Sequence, residues 1–165
     1  MRRPDPPVTE REPRRARPSD ALALTAVYLR SFRAALPHVR LAHSDDDIAD
    51  WMLAVVIGER ETWVVEEADE PIAFLILDAP AADGPSALDH LYVSPERRGR
   101  GIGDRLVELA KSERPLGLEL WTFQANALAR RFYARHGFVE VELTDGAGNE
   151  EREPDARLVW LPPAM

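Results

Sequence analysis

The sequence predicts an α/β domain in which a mixed sheet is covered by helices. Helix-periodic and strand-like apolar segments follow one another as helix–helix–hairpin, then strand–helix–strand–helix–strand–strand. The stretch from Ala87 to Phe123 reads as strand–helix–strand and is long enough for a parallel crossover. The chain has 165 residues, of which 45% are hydrophobic and 30% charged, the size and composition of one globular domain.

Each element has its own signal. Residues 1–11 are rich in Pro and Arg and read as a flexible N-terminal tail, which leaves one domain over 12–165. Glu12–Arg17 is a short edge strand with a weak apolar pattern. Ser19-Asp20 offers an N-cap to a helix that carries Leu22, Leu24, Val27, Tyr28, Leu29 and Phe32 and ends at Pro37. Ser44–Asp47 caps a second helix through Ile48, Trp51, Met52, Val55 and Val56, stopped by Gly58. Thr62–Glu66 and Ile72–Leu77 form a hairpin around the acidic turn Asp69-Glu70-Pro71. After the Asp83-Gly84-Pro85 break, strand Ala87–Val93 leads through an Arg/Gly loop into helix Ile102–Ser112. Leu118–Phe123 is a strand, and Ala127–Arg135 is a helix with Gly137 as its left-handed C-terminal cap. Phe138–Leu143 and Arg157–Leu161 are the last strands, joined by the acidic loop Asp145–Asp155.

Composition excludes several classes. The chain has no cysteine, which removes disulfides, zinc–thiolate sites and an acyl-cysteine intermediate. His38, His43 and His136 lack metal-ligand spacing, so no metal is expected. The net charge of −8 argues against nucleic-acid binding, which rests on a basic face. For the same reason an Arg-Gly-Arg hook for nucleic acid and a toxin acting on charged tRNA are disfavoured. No apolar run approaches the ~20 residues that cross a bilayer. Met1-Arg2-Arg3 has the charge of a signal-peptide start, but Pro4, Asp5, Pro6 and Pro7 replace the apolar core it needs. A cytoplasmic protein without membrane partners is expected, and a homodimer is left open.

The strongest local signal is Leu91-Tyr92-Val93 followed by Ser94-Pro95-Glu96-Arg97-Arg98-Gly99-Arg100-Gly101-Ile102-Gly103. Alternate glycines allow a backbone to approach a bulky ligand, and a helix that begins directly after them aims unpaired N–H groups at it. With Lys111 the chain's lone lysine, Arg97, Arg98 and Arg100 form a cationic cluster in an acidic protein. Spacing sorts the phosphate motifs: a dinucleotide fingerprint from Gly99 needs glycine where Asp104 stands, and a P-loop needs Gly-Lys-Ser/Thr. What remains is R-x-x-G-x-G over Arg98–Gly103.

This pattern resembles the acetyl-coenzyme A loop of the GNAT superfamily of N-acetyltransferases, whose signature is Q/R-x-x-G-x-G/A. The strand Leu91–Val93, the segment from Asn126 to Phe138 and the opening Arg17-Pro18-Ser19-Asp20-Ala21 are similar to the family's pattern in the expected order, over roughly residues 12–161. The resemblance implies a mixed, mostly antiparallel sheet with a central splayed parallel strand pair. It also implies acetyl-CoA as co-substrate, with the pyrophosphate on the backbone of Arg98, Gly99, Arg100, Gly101, Ile102 and Gly103. The pantetheine arm is expected against the main chain of Leu91 and Val93, with Tyr92 between them.

Thioester aminolysis needs a neutral amine, a polarised carbonyl and a proton for the departing thiolate. Asn126, Ala129, Arg130 and Tyr133 share one face of their helix at i, i+3/i+4 and i+7. Asn126 caps the helix or binds the coenzyme arm, and the resemblance implies that Tyr133 is the general acid. Some family members carry a carboxylate six residues before the position of Val93, where this chain has Ala87. Strand alternation sets Ala87, Asp89, Leu91 and Val93 on one face and Leu88, His90 and Tyr92 on the other. On that pattern Asp89 is the first candidate base and His90, with its more suitable pKa, the second. Glu66 is a more distant third. Trp51, Trp63, Trp121 and Trp160 are expected in the core, Trp121 close enough to the site to line an acceptor pocket.

The expected activity is acetyl transfer to a primary amine of a small molecule or peptide, by direct attack in a ternary complex. Acidic clusters at Asp45–Asp47, Glu66-Glu67 and Asp145–Asp155 point to a cationic acceptor. The alternative is a catalytically silent acetyl-CoA-binding sensor or partner-binding domain, which Ala87 favours and Tyr133 disfavours.

Overall fold

One seven-stranded sheet runs through the protein in the order β1-β2-β3-β4-β5-β7-β6. The computed structural model describes residues 12–165; the tail expected over 1–11 lies outside them. The strands are β1 (Arg14–Arg15), β2 (Glu61–Glu67), β3 (Glu70–Leu77), β4 (Ser86–Val93), β5 (Leu118–Phe123), β6 (Val139–Leu143) and β7 (Asp155–Trp160). Every neighbouring pair is antiparallel except β4 and β5, which are parallel.

Helices α1 (Ala21–Ala35) and α2 (Asp45–Trp51) cover one face; α3 (Ile102–Glu113) and α4 (Ala127–Arg135) cover the other. The interior strand β3 explains the continuous apolar run in the sequence. Phe74 and Ile76 pack under α1 and α2, while Leu75 and Leu77 pack under α3, so both faces are buried. Each such side chain contributes about 1.5–3 kcal/mol on burial.

Local chemistry departs from the sequence expectation in four places. Asp20 does not cap α1 with its side chain; its carboxylate turns back to accept from Arg17 N at 2.7 Å and from Arg14 at 2.8 and 2.9 Å. Arg14 also reaches Glu66 Oε2 at 2.9 Å, which ties β1, the entry to α1 and β2 together and gives Glu66 a structural partner. The second helix keeps its Ser44 cap (Asp47 N to Ser44 Oγ, 3.1 Å) but widens into a π-helix over Met52–Ile57. The hairpin turns on Ala68 and Asp69, at φ +50° and +63°, so Glu70 and Pro71 belong to β3. Pro71 is tolerated there because a bulge interrupts the ladder beside it, with Ile72 the extra residue. Finally, none of the four tryptophans is fully buried: Trp51, Trp63 and Trp160 pack against the edge of the core and Trp121 is 50% exposed, while the buried aromatic side chains are those of Tyr28, Phe32, Phe74, Tyr133 and Phe138.

Among the described residues no helix is long and apolar enough to cross a membrane.

Candidate active site

The parallel pair β4–β5 is the origin of the site. Its ladder holds only at Ser86 opposite Leu118 and Ala87 opposite Glu119, and beyond these the strands diverge. The gap is a cavity of about 280 Å³ between Leu88–Tyr92 of β4 and Leu120–Phe123 of β5. Phe32 and Tyr28 of α1 close one side, and Ala129 and Tyr133 of α4 close the other.

The open edge of β4 has a defined direction. Ser94 N–H bonds Ile72 O at 2.7 Å, so the alternation of an antiparallel ladder aims the main-chain groups of Tyr92 and His90 at β3. Those of Leu91 and Val93 therefore face the gap. Ser31 of α1 already donates to Val93 O at 3.0 Å, which leaves Val93 N–H and both groups of Leu91 for a ligand strand.

At the far end of this edge lies the glycine loop. Gly99 and Gly101 adopt φ of +78° and +79°, where a side chain is strained, and Gly101 is the N-cap of α3. The first N–H groups of α3, from Ile102 onward, point out of the helix there. Gly103 serves packing instead: a Cβ on it would stand 3.1 Å from Phe132 Cζ of α4 and 3.9 Å from Val93 Cγ2. The loop thus abuts β4 through Val93. Glu67 in β2 holds Arg97 and, at 3.5 Å, Arg100, and the Arg97 guanidinium keeps the Glu67 carboxyl below its usual range. Arg98 leans on Ser31 O at 3.4 Å and is exposed.

On α4 the four expected site residues part company. Asn126 accepts from Ala129 N at 3.1 Å, so it caps the helix while lining the cavity beside Ala129. Arg130 turns away, to Glu140 at 2.6 and 3.0 Å and to Gln124 O at 3.0 Å. Tyr133 lines the cavity with its ring buried between Phe132 and Phe138, and burial raises its phenol above the ordinary value. It therefore keeps its proton at neutral pH.

A bulge in β4 corrects the expected alternation. Ile76 pairs with His90 but Leu77 with Leu88, so Asp89 is the extra residue. Leu88 consequently joins Leu91 and Val93 on the α3 side rather than His90 and Tyr92. His90 packs among Tyr28, Trp51 and Tyr92 on the α1–α2 side, and burial lowers its pKa to about 4. Asp89 reaches Arg60, which also binds Asp78. Burial and the adjoining Asp78 push Asp89 up to about 6, against the pull of Arg60. Both candidate bases line the cavity.

Arg60 and Asp78 were not singled out in the sequence. The hairpin register contains the signal: Glu61 pairs with Leu77, which sets Arg60 opposite Asp78 at the open end of the ladder. Ser31 carried no comparable mark, while Glu66 and Glu67, expected as an acidic cluster for a cationic acceptor, pair instead with Arg14 and with Arg97 and Arg100. Trp121 lines the cavity as expected, exposed rather than in the core. Among the described residues there is no cluster of ligands able to hold a metal ion.

Comparison with known proteins agrees with this geometry. Residues 58–140 match the family described as an acetyltransferase (GNAT) domain. A peptidyl-lysine N-acetyltransferase YjaB of Salmonella typhimurium is 32% identical over 126 residues, covering 76% of this chain and 81% of that one. The solution structure of apo YjaB from Escherichia coli superposes with a TM-score of 0.74 at 25% identity, over 94% of this chain and 99% of that one. The PaiA N-acetyltransferase of Thermoplasma acidophilum, solved in complex with coenzyme A, superposes with a TM-score of 0.68 at 19% identity, over 93% and 99% of the two chains.

Proposed function

The chain belongs to the GNAT acetyltransferase family, and from this we propose that it transfers the acetyl group of acetyl-CoA to a primary amine by direct attack in a ternary complex. One observation carries this reading: the open edge of β4 runs from the glycine loop at Val93 into a cavity that holds both Tyr133 and Asp89.

The residues present fit the coenzyme. Leu91 and Val93 offer main-chain groups to an extended amide-bearing arm, and the N–H groups from Gly101 to Gly103 with Arg98 and Arg100 suit a pyrophosphate. Bound acetyl-CoA supplies an acetyl group activated as a thioester.

The protein's part is to orient two partners and move two protons. The amine nitrogen forms the new C–N bond as the C–S bond breaks. Asp89 takes the proton that the nitrogen sheds, directly or through one water. The Tyr133 hydroxyl gives its proton to the departing sulfur. Burial raises the Tyr133 phenol, so it holds its proton until charge develops on the sulfur. His90, with its pKa lowered to about 4, is a weak base at this position and serves as a wall. No cysteine is available to carry the acetyl group. The name of the Salmonella relative, a peptidyl-lysine N-acetyltransferase, supports an acceptor amine on an aliphatic chain.

Thiol release from acetyl-CoA across a panel of primary amines tests the proposal, with turnover expected for at least one. Coenzyme binding without turnover on any amine would instead mark a silent acetyl-CoA-binding domain.

A further inference from the structure

The glycine loop before α3 contains one discordant charge. The first N–H groups of α3 and the side chains of Arg98 and Arg100 suit an anion, but the same first turn carries Asp104. Its carboxylate lies close to the seat: a Cβ on Gly101, the N-cap, would stand 4.0 Å from Asp104 Oδ2. For the helix alone, a carboxylate at the N-terminus is favourable. Beside a pyrophosphate it is unfavourable, because two like charges then share one positive helix end.

Asp104 has a partner on the neighbouring helix. From the C-cap of α4, His136 Nε2 reaches Asp104 Oδ1 at 2.6 Å. An ionised carboxylate can only accept, so Nε2 carries the proton and donates it. His136 is itself held from three sides. Its ring packs on Phe132 with 4.9 Å between centroids, its main-chain O accepts from Lys111 Nζ at 2.8 Å, and its Nδ1 lies 3.7 Å from Glu108 Oε1. Phe132 in turn abuts Gly103. Arg135 also approaches Asp104 Oδ1, but only to 3.7 Å and from a side chain 64% exposed, against 12% for His136. His136 is therefore the fixed partner, and Arg135 a solvent-screened one.

We propose that His136 is a positioning residue for the coenzyme: by holding the Asp104 carboxylate on α4, it keeps that charge from opposing the pyrophosphate at the start of α3. This rests on the acetyl-CoA reading of the loop and deepens it. The same hydrogen bond ties the first turn of α3 to the helix that carries Tyr133, so the seat and the proton donor share one support. Each member of the pair also sits at a favourable helix end, Asp104 at the positive end of α3 and His136 at the negative end of α4. A pair with that structural duty alone would stabilise the fold and leave coenzyme affinity untouched.

Calorimetric titration of coenzyme A into the protein, with no amine present, separates the two. His136→Ala frees the carboxylate beside the ligand and should raise Kd about five- to tenfold. His136→Gln keeps an N–H donor and should bind much closer to wild type. Asp104→Asn should bind at least as tightly as wild type. The double variant His136→Ala/Asp104→Asn should match Asp104→Asn, because there is then no charge to hold. The gap between His136→Ala and wild type should narrow at about 1 M salt, where the Debye length is about 3 Å. In turnover the loss should fall on the KM for acetyl-CoA rather than on kcat. Equal weakening in His136→Ala and in the double variant would show that His136 acts through its packing on Phe132, and would overturn the proposal. Weaker binding in Asp104→Asn than in wild type would overturn it independently, as would wild-type affinity in every variant with only a lowered unfolding temperature. These three outcomes leave the acetyl-CoA reading standing; a wild-type protein that binds no coenzyme A would sink both.

Discussion

Asp89 and Asp78 share one guanidinium nitrogen, Nη1 of Arg60. Asp89 is the extra residue of the β4 bulge, and Asp78 is the first residue beyond β3, so the bulge brings two carboxylates from neighbouring strands onto one cation. The arrangement lifts Asp89 to about 6 because partial burial and the second carboxylate outweigh the arginine.

A pH dependence follows. A raised carboxylate is protonated below its folded pKa and cannot accept the amine's proton there. The rate at saturating acetyl-CoA should therefore fall about tenfold per pH unit below about 6. Asp78→Asn removes the neighbouring charge and should move this limb to lower pH; Asp89→Asn should lower kcat by about 10²-fold and abolish it. A pH–rate profile of the three proteins checks this, and an unshifted limb in Asp78→Asn would exclude Asp89 as its source.

Tyr133→Phe separates chemistry from binding. The ring keeps its contacts with Phe132 and Phe138, so the fold and the coenzyme's KM should change little. The loss of the proton donor should cost about 10²-fold or more in kcat. A proportionate rise in KM with unchanged kcat would assign Tyr133 to binding alone.

The two glycines of the loop's end have opposite duties. Gly101→Ala puts a side chain at φ +79° and should cost about 1–2 kcal/mol and weaken the coenzyme seat. Gly103→Ala lies within α3, where alanine gains up to about 1 kcal/mol of helix propensity against the push on Phe132, 3.1 Å from the new Cβ. Thermal unfolding should rank Gly101→Ala clearly below Gly103→Ala, with the latter near wild type.

Arg14 links the buried Asp20 to Glu66. Its replacement by Ala leaves both carboxylates without their shared cation and should cost about 3 kcal/mol. The hydrogen bonds from Arg14 hold Asp20 below its usual range, against the cost of burial. That stabilisation is present above the ordinary carboxylate value of 3.8 and is lost as pH falls through the lower folded value. Denaturant titrations should accordingly show wild type and Arg14→Ala converging on acidification.

Much of the molecule is legible in the sequence, for a local reason. The helices α1, α3 and α4, the strands from β2 to β7 and the loop from Arg98 to Gly103 each announce themselves through periodicity, caps and glycine spacing within a dozen residues or so. The positive φ of Gly137 follows from its place two residues beyond Arg135, just past the C-cap His136, in the same way. The π-helix at Met52–Ile57 has no such mark in the spacing of its apolar residues.

The sequence by itself determined the fold class, the glycine loop before α3 and the helix face that carries Tyr133, since each depends on near neighbours along the chain. Tertiary structure decided which face Leu88 takes, that Arg130 turns to Glu140, and that Asp89 meets Arg60 and Asp78. These depend on register across strands: one extra residue in β4 reverses the alternation, and only the pairing with β3 shows where that residue sits.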